Sequence, residues 1–311
     1  MEPIIEVKNL RKEFADLVAV DDLSFTVPTG QIYGFLGQNG AGKSTTMRML
    51  VDLVRPSSGN IRIFGLDLST HRKEILRQTG AIIERPDLYK YLTALENLRI
   101  FATMSGTSTS KKMLMDQLAL VGLAERANSK VKTYSQGMKQ RLGIATALVH
   151  NPKLIILDEP TNGLDPQGIA DMRNMILHLC HDLGKTLIVS SHLLSEMELV
   201  SDSMLIIDKG KKLVEGLISD LFDPAETLVE VRTADDKLFV ERLKASHLDK
   251  AFHSTANGTV QLKLHKNELT GILRQLLDLN VPLLSFNARH SLEDYFLNLT
   301  SGGQHVEAFK N

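Results

Sequence analysis

Gly37-Gln38-Asn39-Gly40-Ala41-Gly42-Lys43-Ser44-Thr45 fits the pattern G-x-x-x-x-G-K-[ST], a combination of residue types suited to holding phosphate. Backbone N–H groups can surround an anion only where side chains are small, and the N-terminus of a following helix adds positive potential. Lys43 is expected to reach the β- and γ-phosphates of a nucleotide, and the Ser44 hydroxyl to ligate Mg²⁺. The flanks agree: Ile32–Leu36 reads as a strand before the loop and Thr45–Leu53 as a helix after it.

Lys153-Leu154-Ile155-Ile156-Leu157-Asp158-Glu159 is a buried-strand pattern that ends in two acids. Asp158 fits the holding of Mg²⁺ through its water shell, and Glu159 fits a general base that polarises the attacking water. Taken alone, the pair is equally well read as two solvated acids at a strand end. Downstream of a phosphate loop, on a parallel strand aimed at its phosphates, the catalytic reading prevails. No N-K-x-D motif is present, so guanine is not the expected base.

The elements that must position these residues follow from hydrophobic patterning. Short apolar runs at Ile32–Leu36, Ile61–Phe64, Thr79–Ile83, Leu154–Leu157, Thr186–Ser190 and Met204–Ile207 are separated by amphipathic stretches. This predicts an α/β domain over residues 1–220 with a mostly parallel central sheet. Pro56-Ser57-Ser58-Gly59-Asn60 reads as a turn feeding an antiparallel strand. Between residues 86 and about 150 the pattern turns helical. Thr93-Ala94-Leu95-Glu96 is a capping box for a helix through Met104, a second helix covers Lys111–Val121, and Ser135 is the N-cap of a third reaching about His150.

Residues 221–311 form a second expected domain. The order is strand Leu228–Arg232, helix Asp236–Ser246, strands near Ala251–Ser254 and Val260–Leu264, helix Asn267–Leu279 and strand Pro282–Ala288. Asn257-Gly258 is a tight-turn signal between two of these strands. A closing helix Leu292–Leu299 and a loose tail from Gly302 follow. βαββαβ is the order of a small ferredoxin-like α/β sandwich.

Tyr134-Ser135-Gln136-Gly137-Met138-Lys139-Gln140-Arg141 lies between the phosphate loop and the acidic strand. With the loop, it closely resembles the ATP-binding cassette (ABC) ATPases, which are P-loop NTPases. The family signature Leu-Ser-Gly-Gly-Gln is varied, with Tyr134, Gln136 and Met138 replacing three members while Ser135 and Gly137 remain. The variant is similar to export-type cassettes. The resemblance implies that Ser135 and Gly137 bind the γ-phosphate of ATP held by a second copy of the chain. It also implies that Asp165, in Gly163-Leu164-Asp165-Pro166, belongs to the D-loop facing that copy. His192 resembles the switch histidine that organises Glu159, and Phe14 the aromatic set against adenine. Ser291–Thr300 looks like the closing segment of export cassettes.

One residue departs from the family. Where its Q-loop places Gln, this chain has Glu84, in Gly80-Ala81-Ile82-Ile83-Glu84-Arg85-Pro86, as in cassettes resembling those of peptide-antibiotic immunity and bacitracin-type export. Glu84 is expected to join Ser44 and Asp158 around Mg²⁺ and to link the site to the helical insertion. A surface pair with Arg85 is the other reading. The expected catalytic set is therefore Lys43, Glu84, Glu159 and His192. ATP binding is expected from Phe14, residues Gly37 to Thr45, Ser135, Gly137 and Asp165.

Composition bounds the function. The 311 residues are 43% hydrophobic and 23% charged with a net charge of −1, an ordinary globular balance without a general nucleic-acid-binding charge. Trp is absent and aromatics are 5%, which argues against stacking platforms for single strands. A single cysteine, Cys180, excludes an internal disulfide framework and reads as a buried core thiol. No apolar run approaches the ~18 residues of a membrane span, and Met1–Glu6 lacks the pattern of a signal peptide. The expectation is the ATP-binding and ATP-hydrolysing subunit of an ABC exporter, with ATP and Mg²⁺ as cofactors. It would act as a homodimer at the cytoplasmic face of the membrane, held there by separate permease subunits and with no nucleic-acid partner. The alternative is a soluble cassette that remodels nucleic acid or ribosomes.

Overall fold

Two long strands open the chain, β1 (Pro3–Phe14) and β2 (Leu17–Pro28), paired antiparallel from Pro3↔Pro28 to Phe14↔Leu17. Register shifts within β1 break its alternation, and Ala15-Asp16 is not one of the favoured hairpin turns. The computed structural model describes residues 3–221, 226–256, 259–265 and 268–290. It divides into two units, Met1–Ile218 and Ser219–Asn311.

In the first unit β1 and β2 join β4 (Ser58–Ile63) and β5 (Leu66–Asp67) in an antiparallel sheet of order β2-β1-β4-β5. The expected antiparallel strand after Pro56 is β4. The second sheet takes β3 (Ile32–Leu36), β6 (Thr79–Ile82), β7 (Leu154–Leu157), β8 (Thr186–Ser191), β9 (Ser203–Asp208) and β10 (Lys211–Leu217). Its order is β10-β9-β3-β8-β7-β6, parallel throughout except between β10 and β9. Every residue of β3, β7 and β8 is buried, as expected for parallel strands covered on both faces. β10 was not anticipated; its Lys-rich start and half-exposed residues are those of an edge strand.

Side chains from both sheets and from helix α1 (Lys43–Leu50) share one core that includes Ile5, Leu23, Phe35, Met47, Ile63 and Ile188. Phe25 stacks on Tyr33 and meets Phe35 edge-on. Helix α1 begins two residues before the predicted start, since Gly42 is its N-cap, and so places Lys43 and Ser44 in the first turn. It also ends early. Asp52 is left-handed, and the Leu53 N–H returns to the Arg48 carbonyl at 2.9 Å. Helix α2 (Leu68–Leu76) follows, capped by Asp67.

The helical insertion holds α3 (Ala94–Met104), α4 (Lys111–Leu120) and α5 (Gln136–Leu148). Thr93 and Glu96 form the expected capping box, and Ser135 is the N-cap of α5. α6 (Pro166–Leu177), α7 (Leu194–Glu198) and α8 (Ile218–Leu221) complete the helices before the C-terminal strands. Cys180 is buried, and burial, followed by Asp202, pushes its thiol up to about 11.

The second unit contains β11 (Glu226–Thr233), α9 (Asp236–Lys244), β12 (Phe252–Ala256), β13 (Thr259–His265), α10 (Leu269–Leu277) and β14 (Leu283–His290). The sheet is antiparallel in the order β12-β13-β11-β14, the split βαββαβ arrangement. Val229, Val231, Phe239, Val260, Leu262 and Leu276 lie in its own core. The Asn257-Gly258 turn, the closing helix, the segment Ser291–Thr300 and the tail lie outside the described residues.

Gly80 sets how closely α5 can approach β6, because a Cβ there would lie 2.3 Å from the Ala147 carbonyl oxygen. Gly80→Ala forces helix and strand apart and is expected to cost about 1–3 kcal/mol, the usual range for overpacking. Urea unfolding reads this as a lower midpoint; an unchanged midpoint would mean that α5 yields freely.

Candidate functional site

The strand order β3-β8-β7-β6 brings four chain segments to one edge of the central sheet, each leaving the C-terminal end of a parallel strand. This is where open α/β sheets place ligands. The phosphate loop leaves β3. His192 follows β8, Asp158 and Glu159 follow β7, and Glu84 lies beyond β6.

Gly42 turns the loop into α1 with φ of 105°, and a Cβ on it would sit 2.6 Å from the Ala19 carbonyl oxygen. Only glycine meets both conditions. Lys43 is 5% exposed. Its Nζ donates to the carbonyl oxygens of Gly37 at 2.7 Å and Gln38 at 3.2 Å, and lies 3.1 Å from Glu159 Oε1. The ammonium therefore occupies the mouth of its own loop and is already paired with the second acid of β7.

Ser190 on β8 ties the two acids down. Its hydroxyl donates to Asp158 Oδ1 at 2.6 Å and accepts the Glu159 N–H at 2.9 Å. The other Asp158 oxygen, Oδ2, is buried with no hydrogen-bond partner among the described residues. A lone buried carboxylate oxygen is costly unless it meets a donor or a cation. Glu159 Oε2 lies 2.8 Å from His192 Nδ1, so its carboxylate spans Lys43 and His192. Sequence reading missed Ser190, although β7 and β8 pair in register and its hydroxyl lies one residue past the Leu157↔Val189 pair.

A cavity of about 360 Å³ is lined by Ser44, Glu84, Gln136, Asp158 and Glu159, among others. Ser44 and Asp158 suit Mg²⁺, which binds through few protein oxygens and keeps waters and phosphate oxygens as its other ligands. No cluster of three or more His, Cys, Asp or Glu able to hold a metal occurs among the described residues. Glu84 reaches this cavity, but its carboxylate pairs with Arg48 of α1. The pairing expected as the alternative, with Arg85, is not the one formed. Arg48 escaped sequence reading because it is distant in sequence and lies inside an ordinary helix.

Ser135, Gly137 and Asp165 do not line that cavity. They line another, of about 420 Å³, with Gly163 and Leu164. The Ser135 hydroxyl accepts the Met138 N–H at 3.2 Å, and Asp165 Oδ1 accepts the Gly168 N–H at 3.1 Å. Each therefore caps a helix, α5 and α6 respectively. Phe14, at the tip of the β1–β2 hairpin, is 43% exposed and lines neither cavity; Lys12 Nζ sits 4.7 Å from its ring centroid.

Comparison with known proteins agrees with this geometry. The family described as ABC transporter matches residues 20–162. The bacitracin transport ATP-binding protein BcrA of Bacillus licheniformis is 42% identical over 306 residues, covering 97% of this chain and 99% of its own. The lantibiotic transport ATP-binding protein SrtF of Streptococcus pyogenes is 41% identical over 228 residues, covering 73% of this chain and 95% of its own. Among solved structures, an ATP-binding subunit of an ABC transporter superposes with a TM-score of 0.63 at 33% identity, covering 70% of this chain and 91% of that one. With a phosphate loop, an acidic strand end and a histidine on one sheet edge, and relatives matched over nearly their whole length, the chain belongs to the nucleotide-binding ATPases of the ABC transporter family.

Proposed function

We propose that this chain drives an exporter by binding and hydrolysing Mg²⁺-ATP between two copies of itself, arranged head to tail. The observation that carries the reading is the Glu159 carboxylate, held between Lys43 and His192 beside a buried Asp158 oxygen with no hydrogen-bond partner among the described residues. In this reading Lys43 leaves Glu159 for the β- and γ-phosphates, while the backbone of Gly37 to Thr45 surrounds them. Glu159 then accepts the proton of the attacking water, with His192 orienting the carboxylate through its Nδ1. Ser44 and Asp158 would hold Mg²⁺, which when bound neutralises charge on the phosphate oxygens. Phe14 would stack on adenine.

The cavity at Ser135, Gly137 and Asp165, which none of Ser44, Asp158 and Glu159 lines, supports a composite site. It adjoins the Ser44 cavity through Gln136 and Gly163, yet leaves the signature serine and the D-loop aspartate free to face a nucleotide on the opposite copy. A hydroxyl that accepts the Met138 N–H still has its own proton to donate to a γ-phosphate oxygen.

Closure of the pair would move α3, α4 and α5, and through them separate permease subunits at the cytoplasmic face of the membrane. Among the described residues no helix is long and apolar enough to cross a membrane. The transport of bacitracin and of a lantibiotic, named for two relatives, supports a cargo of that chemical kind. The net charge of −1 offers nothing to the nucleic-acid alternative.

Glu159→Gln is expected to keep ATP binding while slowing hydrolysis by a factor of about 10² or more, the scale of general-base effects. Light scattering with Mg²⁺-ATP should then find an accumulated dimer; normal turnover in a monomer removes Glu159 from this role. Lys43→Ala should abolish turnover.

The composite site has a separate test. Ser135→Arg should block the neighbour's site, yet mixing it with Lys43→Ala should recover activity, since one of the two sites in a mixed dimer has an intact loop and an intact signature. Absence of recovery in a demonstrated mixed dimer argues against sites formed between copies.

A further inference from the structure

Two glutamates close neighbouring parallel strands at matching positions. β6 and β7 pair through Ile82 and Leu157, so Glu84 and Glu159 each stand two residues beyond that pair. Both have left-handed backbone, with φ of 64° and 50°, a region that L residues other than Asn and Asp seldom occupy. Each carboxylate also meets a cation from the same helix, α1. Glu159 meets Lys43 at its first residue, and Glu84 meets Arg48. The proposed reaction uses Lys43 and gives Arg48 no part.

Arg48 stands four residues after Ser44, so the two share one face of α1. A guanidinium thus reaches Glu84 from one turn beyond the hydroxyl assigned to Mg²⁺, and both Ser44 and Glu84 line the same cavity. A planar guanidinium and a hard divalent ion are rivals for one carboxylate.

We infer that Arg48 is a positioning residue: it holds the Glu84 carboxylate while the site lacks a divalent cation and yields it when Mg²⁺ enters with the nucleotide. This rests on the assignment of Mg²⁺ to Ser44 and Asp158 proposed above. Without metal, Arg48 neutralises a charge that otherwise repels phosphate. With metal, the pair must open, which raises the Mg²⁺ concentration needed. The side chains of Arg48 and Glu84 are 34% and 61% exposed, so the effect is limited to about fivefold, the reach of an exposed ion pair.

The test is equilibrium binding of a non-hydrolysable ATP analogue to the full chain, in EDTA and across a Mg²⁺ titration. Arg48→Gln is expected to weaken binding in EDTA by up to about fivefold and to lower the half-saturating Mg²⁺ by a similar factor. In a Glu84→Gln background the same change should move neither value. Arg48→Lys, which keeps the charge without the fork, should shift both less and serves if Arg48→Gln does not fold. A Mg²⁺ midpoint unaltered by Arg48→Gln, or a shift that persists with Glu84→Gln, overturns the inference while leaving the metal assignment standing. Wild-type binding that ignores Mg²⁺ altogether overturns both.

Discussion

Parallel pairing in the order β3-β8-β7-β6 is the constraint on which the site rests. Leu36 pairs with Ser191, Leu157 with Val189 and Ile82 with Leu157, so these strands end nearly level and deliver their following loops to one edge. A slip of one residue would turn every side chain to the opposite face. With β3, β7 and β8 buried on both faces, such a slip would destroy the fitted packing on each. The apolar strands therefore do more than fill a core: they align the phosphate loop, Asp158, Glu159 and His192.

Electrostatics then determines what the edge can hold. Asp158 and Glu159 lie at the end of a buried strand, where an uncompensated carboxylate is costly. Ser190, Lys43 and His192 provide the compensation; among the described residues Glu159 Oε1 has the Lys43 ion pair but no hydrogen bond, and Asp158 Oδ2 has no hydrogen-bond partner. Lys43 is bound to the groups a phosphate would replace, two loop carbonyls and a carboxylate. On the proposed function, nucleotide binding would exchange partners among groups already in position, which keeps reorganisation small.

Helix capping fixes the residues that the proposed composite site draws from the opposite copy. Ser135 and Asp165 each satisfy a backbone N–H at the start of α5 and α6, where helix dipoles leave positive potential. Capping and phosphate recognition are compatible at Ser135, because a hydroxyl accepts and donates at once. At Asp165 the carboxylate only accepts, which suits contact with a donor on a facing surface.

Much of this was legible in residue order. The phosphate loop, the acidic pair, the capping box at Thr93 and the βαββαβ order all depend on local spacing, and local spacing survives folding. The ends of α1 were less legible, since they depend on left-handed turns at Gly42 and Asp52. The β1–β2 hairpin was hidden by register shifts and an unremarkable turn. By itself, the sequence determined the cassette and its chemically capable residues, because small loops, strand-end acids and helix caps announce themselves within a few positions. Only the tertiary structure decided that Ser190 bridges the acids, that Lys43 is parked on Glu159, and that Glu84 meets Arg48 rather than Arg85. Those partners come from different strands and helices, and strand order, not spacing along the chain, brings them within hydrogen-bonding reach.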